Sequence, residues 1–490
     1  MLKIATKGTG FIDEKGRTRI FNGFNFVYKG CEADGDGVIR YQTPLTDAVL
    51  SDLTRRGINL IRLGLTWAGV EPEMGAYNEA YLSGVKETVR LCEKHGVYVY
   101  IDFHQDLFSA YCYCGDGAPR WACRKPKEWR KAKLIWAEGY FLSRSVQTSF
   151  DAFWKNKPVA GRGLRDRYCD MLAHTARFLG DCGNIMAYDV LNEPYPGTAG
   201  GKIFRTLVKN GVLTLLLSKR VDRRGMLKAA GAGDMMKMLS AADDPVVYRS
   251  IISAAEPLLR RFDKDAYQPF LQAAAEAIRS AAPETIVLAE NSYFSNMGIP
   301  CAAERIKTAA GSPDPLFAFA PHGYDITVDT PLTNEASTKR VDFIFNEHRR
   351  LQKRLNAPVI VGEWGGMVPG GERYPALEHL IDGFDSNGWS QTYWHWFPEI
   401  EGSRIMEILS RPCPVAVAGE IKRYGYDRER NCFDLTYTGD PAVKAPTLVY
   451  LPRKPKKIFS TKKYRLDEKN GAYLLQVYAG KGPCAVKAEF

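Results

Sequence analysis

A repeated rhythm constrains this chain more than any other feature. Between residues 19 and 396, short apolar runs rich in β-branched residues alternate with helix-like segments. The runs fall at 19–26, 58–65, 97–104, 185–193, 285–289, 316–320, 358–362 and 392–396. Runs this short and this apolar read as buried strands. Helical segments are expected at 46–56, 77–95, 164–180, 268–281 and 334–356, the first two stopped by Gly57 and Gly96. A glycine there can take the left-handed backbone that ends a helix. Strand–helix–strand repetition builds a parallel sheet, and eight repeats predict a closed (β/α)8 barrel, an α/β fold.

Two of these runs end in a carboxylate. One closes on Asn192-Glu193-Pro194, the other on Glu363-Trp364-Gly365-Gly366. Barrel enzymes carry their chemistry at the C-terminal mouth of the strands. A single Glu after a strand is more often a cap or a surface charge. Two on separate strands, in company with Arg62 at the barrel mouth, His104, His322 and Tyr324 at other strand ends, and Trp394, form a candidate active centre. Glycoside cleavage with retention needs this pair: one carboxylic acid to protonate the leaving oxygen, and one carboxylate to attack the anomeric carbon. Glu193 is assigned as acid/base and Glu363 as nucleophile, with Arg62 beside Glu363 and Glu193 kept protonated by burial and by the charge of Glu363. Asn192 is placed to donate to a sugar 2-hydroxyl. His104, His322 and Tyr324 would complete the floor, and Trp394, assigned to the eighth strand, would stack on a sugar face.

The set Arg62, His104, Asn192-Glu193-Pro194, His322 with Tyr324, Glu363 and Trp394 resembles the retaining (β/α)8 glycosidases that include the cellulases, glycoside hydrolase family five. A narrower resemblance lies in Gly23-Phe24-Asn25-Phe26-Val27-Tyr28-Lys29, Asp102-Phe103-His104-Gln105-Asp106, Ser149-Phe150-Asp151-Ala152-Phe153-Trp154 and Arg411-Pro412-Cys413-Pro414-Val415. These segments look like endoglycoceramidases and their relatives, across nearly the whole chain. The resemblance implies hydrolysis of the bond between a glycan and ceramide, sugar contacts from Lys29, Asp106 and Trp154, and no metal or other cofactor. Two alternatives stay open: a β-glucosidase or β-galactosidase for a simple glycosylceramide or a sterol glucoside, and an inactive glycolipid-binding protein on the same fold.

The chain departs from the family pattern in a long stretch after Pro194. Near 198–262, roughly sixty residues intervene before the barrel rhythm resumes, far more than a barrel loop needs. Leu213, Leu215, Leu216 and Leu217 lie beside Lys219, Arg220, Arg223 and Arg224 there. A helical insert is expected, either a structural subdomain or a rim that meets a membrane or micelle. A further irregular excursion, 107–157, carries Trp121, Trp129, Trp136 and Trp154. After about 409 the texture changes to alternating strands at 433–437, 447–451 and 473–478, an antiparallel β-sandwich. The expected division is a barrel over 1–409 and a sandwich over 410–490.

Charge and cysteines narrow the setting. The net charge of +11 is scattered and no nucleic-acid motif accompanies it, so no nucleic-acid partner is expected. The 11 cysteines show no pairing pattern, and Cys112, Cys114 and Cys123 near His104 lack the spacing of a zinc knuckle. Without an apolar leader at the start, a cytoplasmic location is expected.

Overall fold

The computed structural model describes residues 1–490 except 31–32, 128–130, 134, 329, 331–335 and 368–373. Trp129 and the predicted helix start at 334 lie outside the described residues.

Eight parallel strands form one sheet: Asn22–Val27, Leu60–Leu65, Tyr98–Phe103, Ile185–Asp189, Ile286–Ala289, Phe317–Phe319, Ile360–Val361 and Ser390–Tyr393. The first six pair in sequence order, the seventh pairs with the eighth, and the eighth pairs back onto the first. A parallel bridge between Phe319 and Val359 joins the sixth strand to the seventh and closes the ring. This is the (β/α)8 barrel that the rhythm predicts.

Strand periodicity explains how a core and a charged site share the interior. Alternate residues of a strand face one side. Leu60, Tyr100, Ile286, Leu288, Ala318 and Ile360 pack together inside the barrel. Their partners Ile61, Val99, Ile101 and Val287 join the larger core under the helices. Continuing the inward parity towards the mouth gives Arg62, Asp102, Glu290 and His322, all buried. The lower layers are apolar and the top layer is ionic.

The helices start and stop as their ends demand. Asp47–Arg55 is capped by Thr46, whose side chain accepts from the Val49 amide. Gly57 follows that helix with φ 84°, and a Cβ there would lie 2.5 Å from the Tyr450 ring. Tyr450 in turn donates to the Arg55 carbonyl at 2.9 Å. One glycine thus ends a barrel helix and admits a side chain of the C-terminal domain.

That domain is a sandwich of two antiparallel sheets. One has four strands, Gly419–Asp427, Cys432–Gly439, Lys457–Ser460 and Gly482–Glu489. The other contains Cys413–Val417, Thr447–Leu451, Tyr464–Lys469 and Ala472–Val477, extended by Ile4–Lys7, Gly10–Asp13 and Thr18–Arg19. The division at 409 and 410 is therefore adjusted: residues 4–19 pair with the sandwich, Ala416 opposite Arg19, and the first barrel strand begins only at Asn22. Ile4, Phe11 and Phe21 from this end also cap the bottom of the barrel core. A buried pair locks the domains, with Arg411 Nε donating to Asp385 at 2.8 Å.

The insert is helical: Thr198–Leu217, Arg223–Ala232, Met235–Ser240, Pro245–Ser253 and Glu256–Phe262. It is tied near its base by Asp151, which accepts from the Thr198 amide and hydroxyl at 2.9 and 2.8 Å. On the long first helix Gly200, Ile203 and Leu207 are buried, whereas Phe204, Val208, Val212, Leu213, Leu216 and Leu217 are exposed. Among the described residues no helix is long and apolar enough to cross a membrane.

Candidate active site

Arg62 organises the mouth. It projects inward from the second strand and is fully buried. Its Nη1 donates to Glu363 Oε1 at 2.5 Å and to Asn25 Oδ1 at 2.9 Å. Its Nη2 donates to Asn192 Oδ1 at 2.8 Å and to Glu290 Oε1 at 2.9 Å, and lies 3.0 Å from Asp102 Oδ1. A guanidinium offers a planar fork of donors, so one side chain can hold acids from several strands at once.

The two assigned carboxylates meet over His322. Its Nδ1 is 3.1 Å from Glu193 Oε1 and 3.7 Å from Glu363 Oε2. One oxygen of each Glu lies within 4.8 Å of the other. That is the spacing of a nucleophile and an acid, since a pair that must also seat a water stands about 6.5–9.5 Å apart. His322 gets this close because Gly362 precedes Glu363: a Cβ on Gly362 would lie 2.8 Å from His322 Nε2.

Their surroundings differ. Glu363 is ion-paired to Arg62 and accepts from the Tyr324 hydroxyl at 3.1 Å. Glu193 has no such cation fork; Asn296 Nδ2 donates to its Oε1 at 2.6 Å. Burial pushes the Glu193 carboxyl up to about 7, His322 opposes the rise, and the charge of Glu363 adds to it. An acid poised near neutrality can hold a proton and give it away. Glu193 also has a positive φ of 44°, unusual for a residue with a side chain. Its amide donates to Glu290 Oε2 at 2.7 Å, and Gln105 Nε2 donates to its carbonyl at 3.3 Å.

A second polar cluster lines one wall. Lys29 Nζ bonds Asp106, lies 3.8 Å from Asp116 and sits 5.0 Å over the Trp394 ring. His104 stacks on Trp394 with centroids 5.6 Å apart, and its Nδ1 contacts Asp102 at 2.8 Å. Burial would lower His104, but Asp102 and then Asp106 outweigh it and push it up to about 10. Burial raises Asp116 to about 6 against the pull of Lys29.

These groups surround a cleft of about 600 Å³. Its floor includes Lys29, His104, Asp106, Asp116, Glu193, Glu363 and Trp394, and its upper walls include Ile135, Trp136, Tyr293, Met297, Ile326 and Val328. Polar floor and apolar rim belong to one opening.

Most residues expected from the sequence converge here, with three corrections. Trp154 does not line the cleft; it packs among Phe150, Phe153, Phe262 and Phe270, and its indole N–H donates to the Tyr195 carbonyl at 2.8 Å. Trp394 follows the eighth strand rather than lying on it, because Ser390–Tyr393 completes the pairing. Asn192 follows the fourth strand, Ile185–Asp189, and its side chain holds Arg62 with Oδ1 while Nδ2 donates to the Gln105 carbonyl at 3.0 Å.

Glu290, Asp102, Asp116 and Asn296 were missed. Glu290 carried the same signal as the chosen pair, an apolar strand closing on Glu, and the others gave no comparable one. Among the described residues, three acid-rich groups are compact enough to approach a metal: His104 with Asp106 and Asp116, Glu193 with His322 and Glu363, and Asp102 with Asp189 and Glu290. Each already contacts Lys29 or Arg62, a resident cation that opposes a second one.

Comparison with known proteins agrees with this architecture. Residues 21–399 match the cellulase model of glycosyl hydrolase family 5, and residues 411–480 match the family's C-terminal domain. Endoglycoceramidase I of Rhodococcus hoagii (strain 103S) is 24% identical over 460 residues, 91% of this chain and 78% of that protein. An endoglycoceramidase of the jellyfish Cyanea nozakii is 30% identical over 210 residues, 38% of this chain and 40% of its own length. Among solved structures, endo-glycoceramidase II from Rhodococcus sp., as its lactosyl-enzyme intermediate, superposes with a TM-score of 0.73 at 22% identity, covering 98% of this chain and 99% of that one. The chain belongs to glycosyl hydrolase family 5, a family of glycoside hydrolases.

Proposed function

We propose that this family 5 member is a retaining β-glycosidase that cleaves the bond between a glycan and ceramide in glycosphingolipids. The observation that carries the reaction is the pair Glu193 and Glu363, close together on one histidine yet in opposite electrostatic company. In the first step Glu363 attacks the anomeric carbon as the glycosidic C–O bond breaks. Glu193 gives its proton to the departing oxygen, and the lipid leaves as an alcohol. Glu193, now a carboxylate, takes a proton from water. That water attacks the anomeric carbon, the bond to Glu363 breaks, and the sugar leaves with its β configuration. The lactosyl-enzyme intermediate of the Rhodococcus sp. structure supports the covalent step.

The lipid part of the reading rests on surface continuity. Ile135 and Trp136 line the cleft, and Phe141, a few residues on, packs on Phe204 of the insert with centroids 4.4 Å apart. Leu142 beside it is 69% exposed, and Leu217 at the far end of the insert helix is 67% exposed. An apolar strip therefore leads from the sugar cleft onto the insert, with Lys219, Arg220, Arg223 and Arg224 following it. Lipid tails and an anionic interface suit such a strip. The substrate is met as a peripheral contact with a membrane or micelle.

The test pairs stereochemistry with a substrate panel. NMR of the first product from a β-glycoside should show the β-anomer, and the α-anomer forming first would refute double displacement. Among glucosyl-, galactosyl- and lactosylceramide, sterol glucosides and soluble cello-oligosaccharides, a glycosylceramide should be cleaved to intact ceramide. Turnover of only the soluble or sterol substrates would refute the ceramide reading.

A further inference from the structure

Glu290 lies outside the cleft lining, yet it touches every part of the site that must stay in register. It closes the fifth strand, is 1% exposed, and uses both oxygens. Oε2 accepts the Glu193 amide at 2.7 Å. Oε1 accepts from Arg62 Nη2 at 2.9 Å and lies 3.1 Å from His322 Nε2. Arg62 holds Glu363, and the opposite nitrogen of His322 faces Glu193 and Glu363.

We propose that Glu290 is the positioning residue that couples the acid/base Glu193 to the nucleophile Glu363, by clamping the Glu193 backbone, the His322 ring and Arg62 with one carboxylate. This rests on the reaction proposed above.

Three physical points support it. The Glu193 backbone is left-handed at φ 44°, and such a conformation persists only where neighbours over-determine it. The Glu290 bond to the Glu193 amide and the Gln105 bond to its carbonyl do so from two sides. Second, the clamp is charged. A buried carboxylate facing a guanidinium and an imidazole holds both more strongly than a neutral acceptor would. Third, His322 is encircled. Glu193, Glu290 and Glu363 face its ring, Tyr324 reaches Glu363 beside it, and His348 Nε2 lies 2.9 Å from its backbone carbonyl. With these acids around it His322 is raised well above its ordinary value despite burial, Glu290 contributing first among them. Glu193 in turn faces His322, Glu363, Asp106 and Asn296. Glu290 meets Glu193 at the backbone, so its charge reaches the Glu193 carboxyl chiefly by keeping His322 protonated.

The test is Glu290→Gln, which keeps the shape and removes the charge. The soluble substrate is an activated aryl β-glycoside, and the demanding one is a glycosylceramide in micelles. A His322 ring that loses protons more easily no longer opposes the rise of Glu193. The alkaline limb of kcat/KM should therefore move to higher pH, by roughly one unit or more. At the wild-type optimum kcat should fall roughly 10²-fold on the glycosylceramide and less on the aryl glycoside, with KM nearly unchanged. Glu290→Asp keeps the charge but is too short to reach all three groups; it should lower kcat without moving the limb. An unshifted limb in Glu290→Gln, whether kcat falls evenly or stays put, overturns the proposal in favour of a merely structural acid. If the variant does not fold, ¹⁵N NMR of the wild-type imidazoles decides: His322, assigned by loss of its signals in His322→Asn, should stay protonated at pH 7, and a neutral ring overturns the coupling. A wild type that hydrolyses no β-glycoside refutes the reaction instead, and the NMR titration still judges the clamp.

Discussion

The floor of the cleft and the insert beside it obey opposite rules. On the floor polar side chains are drawn together from many strands, and Arg62 alone meets five acids or amides. On the helix Thr198–Leu217 the apolar side chains of Val208, Val212 and Leu217 are each more than half exposed. The floor is over-determined by interactions inside the molecule. On the proposed lipid reading, chemistry and substrate delivery are built separately, one from ion pairs and one from exposed hydrocarbon.

Breaking the floor should have the largest effect. Glu363→Ala removes the proposed nucleophile and should lower kcat on every substrate, on the order of 10⁵-fold. Glu193→Ala should cost ~10²–10⁴-fold with a ceramide leaving group and far less with an activated aryl one, which departs without a proton. Steady-state rates on both substrates check this, and the reverse pattern would exchange the two roles.

A milder perturbation is pH. The acid works only while protonated, so activity should fall as pH rises through about 7, the value to which burial brings Glu193. In Glu193→Ala that alkaline limb should vanish from the aryl glycoside profile. A limb that persists belongs to another group.

The insert should respond to a different probe altogether. Val212→Asp together with Leu217→Asp puts charge on the exposed strip. Activity on micellar glycosylceramide should fall roughly 30-fold or more, because the two apolar side chains kept from the lipid each forfeit about 1–2 kcal/mol. Activity on the soluble aryl glycoside should hold. Equal activity on both substrates would return the helix to a structural role.

The smallest effect is expected at Trp154. Trp154→Phe removes one hydrogen bond in an aromatic core and should lower stability by about 0.5–1.5 kcal/mol in urea unfolding while KM stays the same. A large rise in KM would restore it to the sugar site.

The two regions also differed in how far the sequence disclosed them. Strand ends are legible because few residue types have reason to follow a buried apolar run, as His104, His322 and Glu363 do, or to interrupt one, as Arg62 does. Glu290 shows the limit of that logic. Its strand closes on an acid as plainly as the other two, but pattern alone does not say which acid sits one layer deeper. Trp154 shows another. Phe150, Phe153 and Trp154 recur at helical spacing, the mark of a packed face, whereas the sugar contact of Trp154 came only from the family resemblance. Asp116 lies on a loop and Asn296 in the short 3-10 turn Tyr293–Met297, whose paths no periodicity records. The insert was legible as helical and basic. Which of its faces turns outward is set by tertiary contacts such as Asp151 on Thr198.

The strand Thr18–Arg19 has a consequence for how the chain is made. Arg19 donates to the Val415 carbonyl, 396 residues further along the chain. At ribosomal speed roughly 20–80 s separate the two ends of that bond. During that interval the first hairpin has synthesis partners only in the barrel floor, and its outer edge waits uncovered for a strand not yet translated. An open edge of this kind is a template for unwanted pairing. Expression of the barrel without residues 411–490 would make the wait permanent, so aggregation of such a truncation would say little about whether the barrel itself can fold.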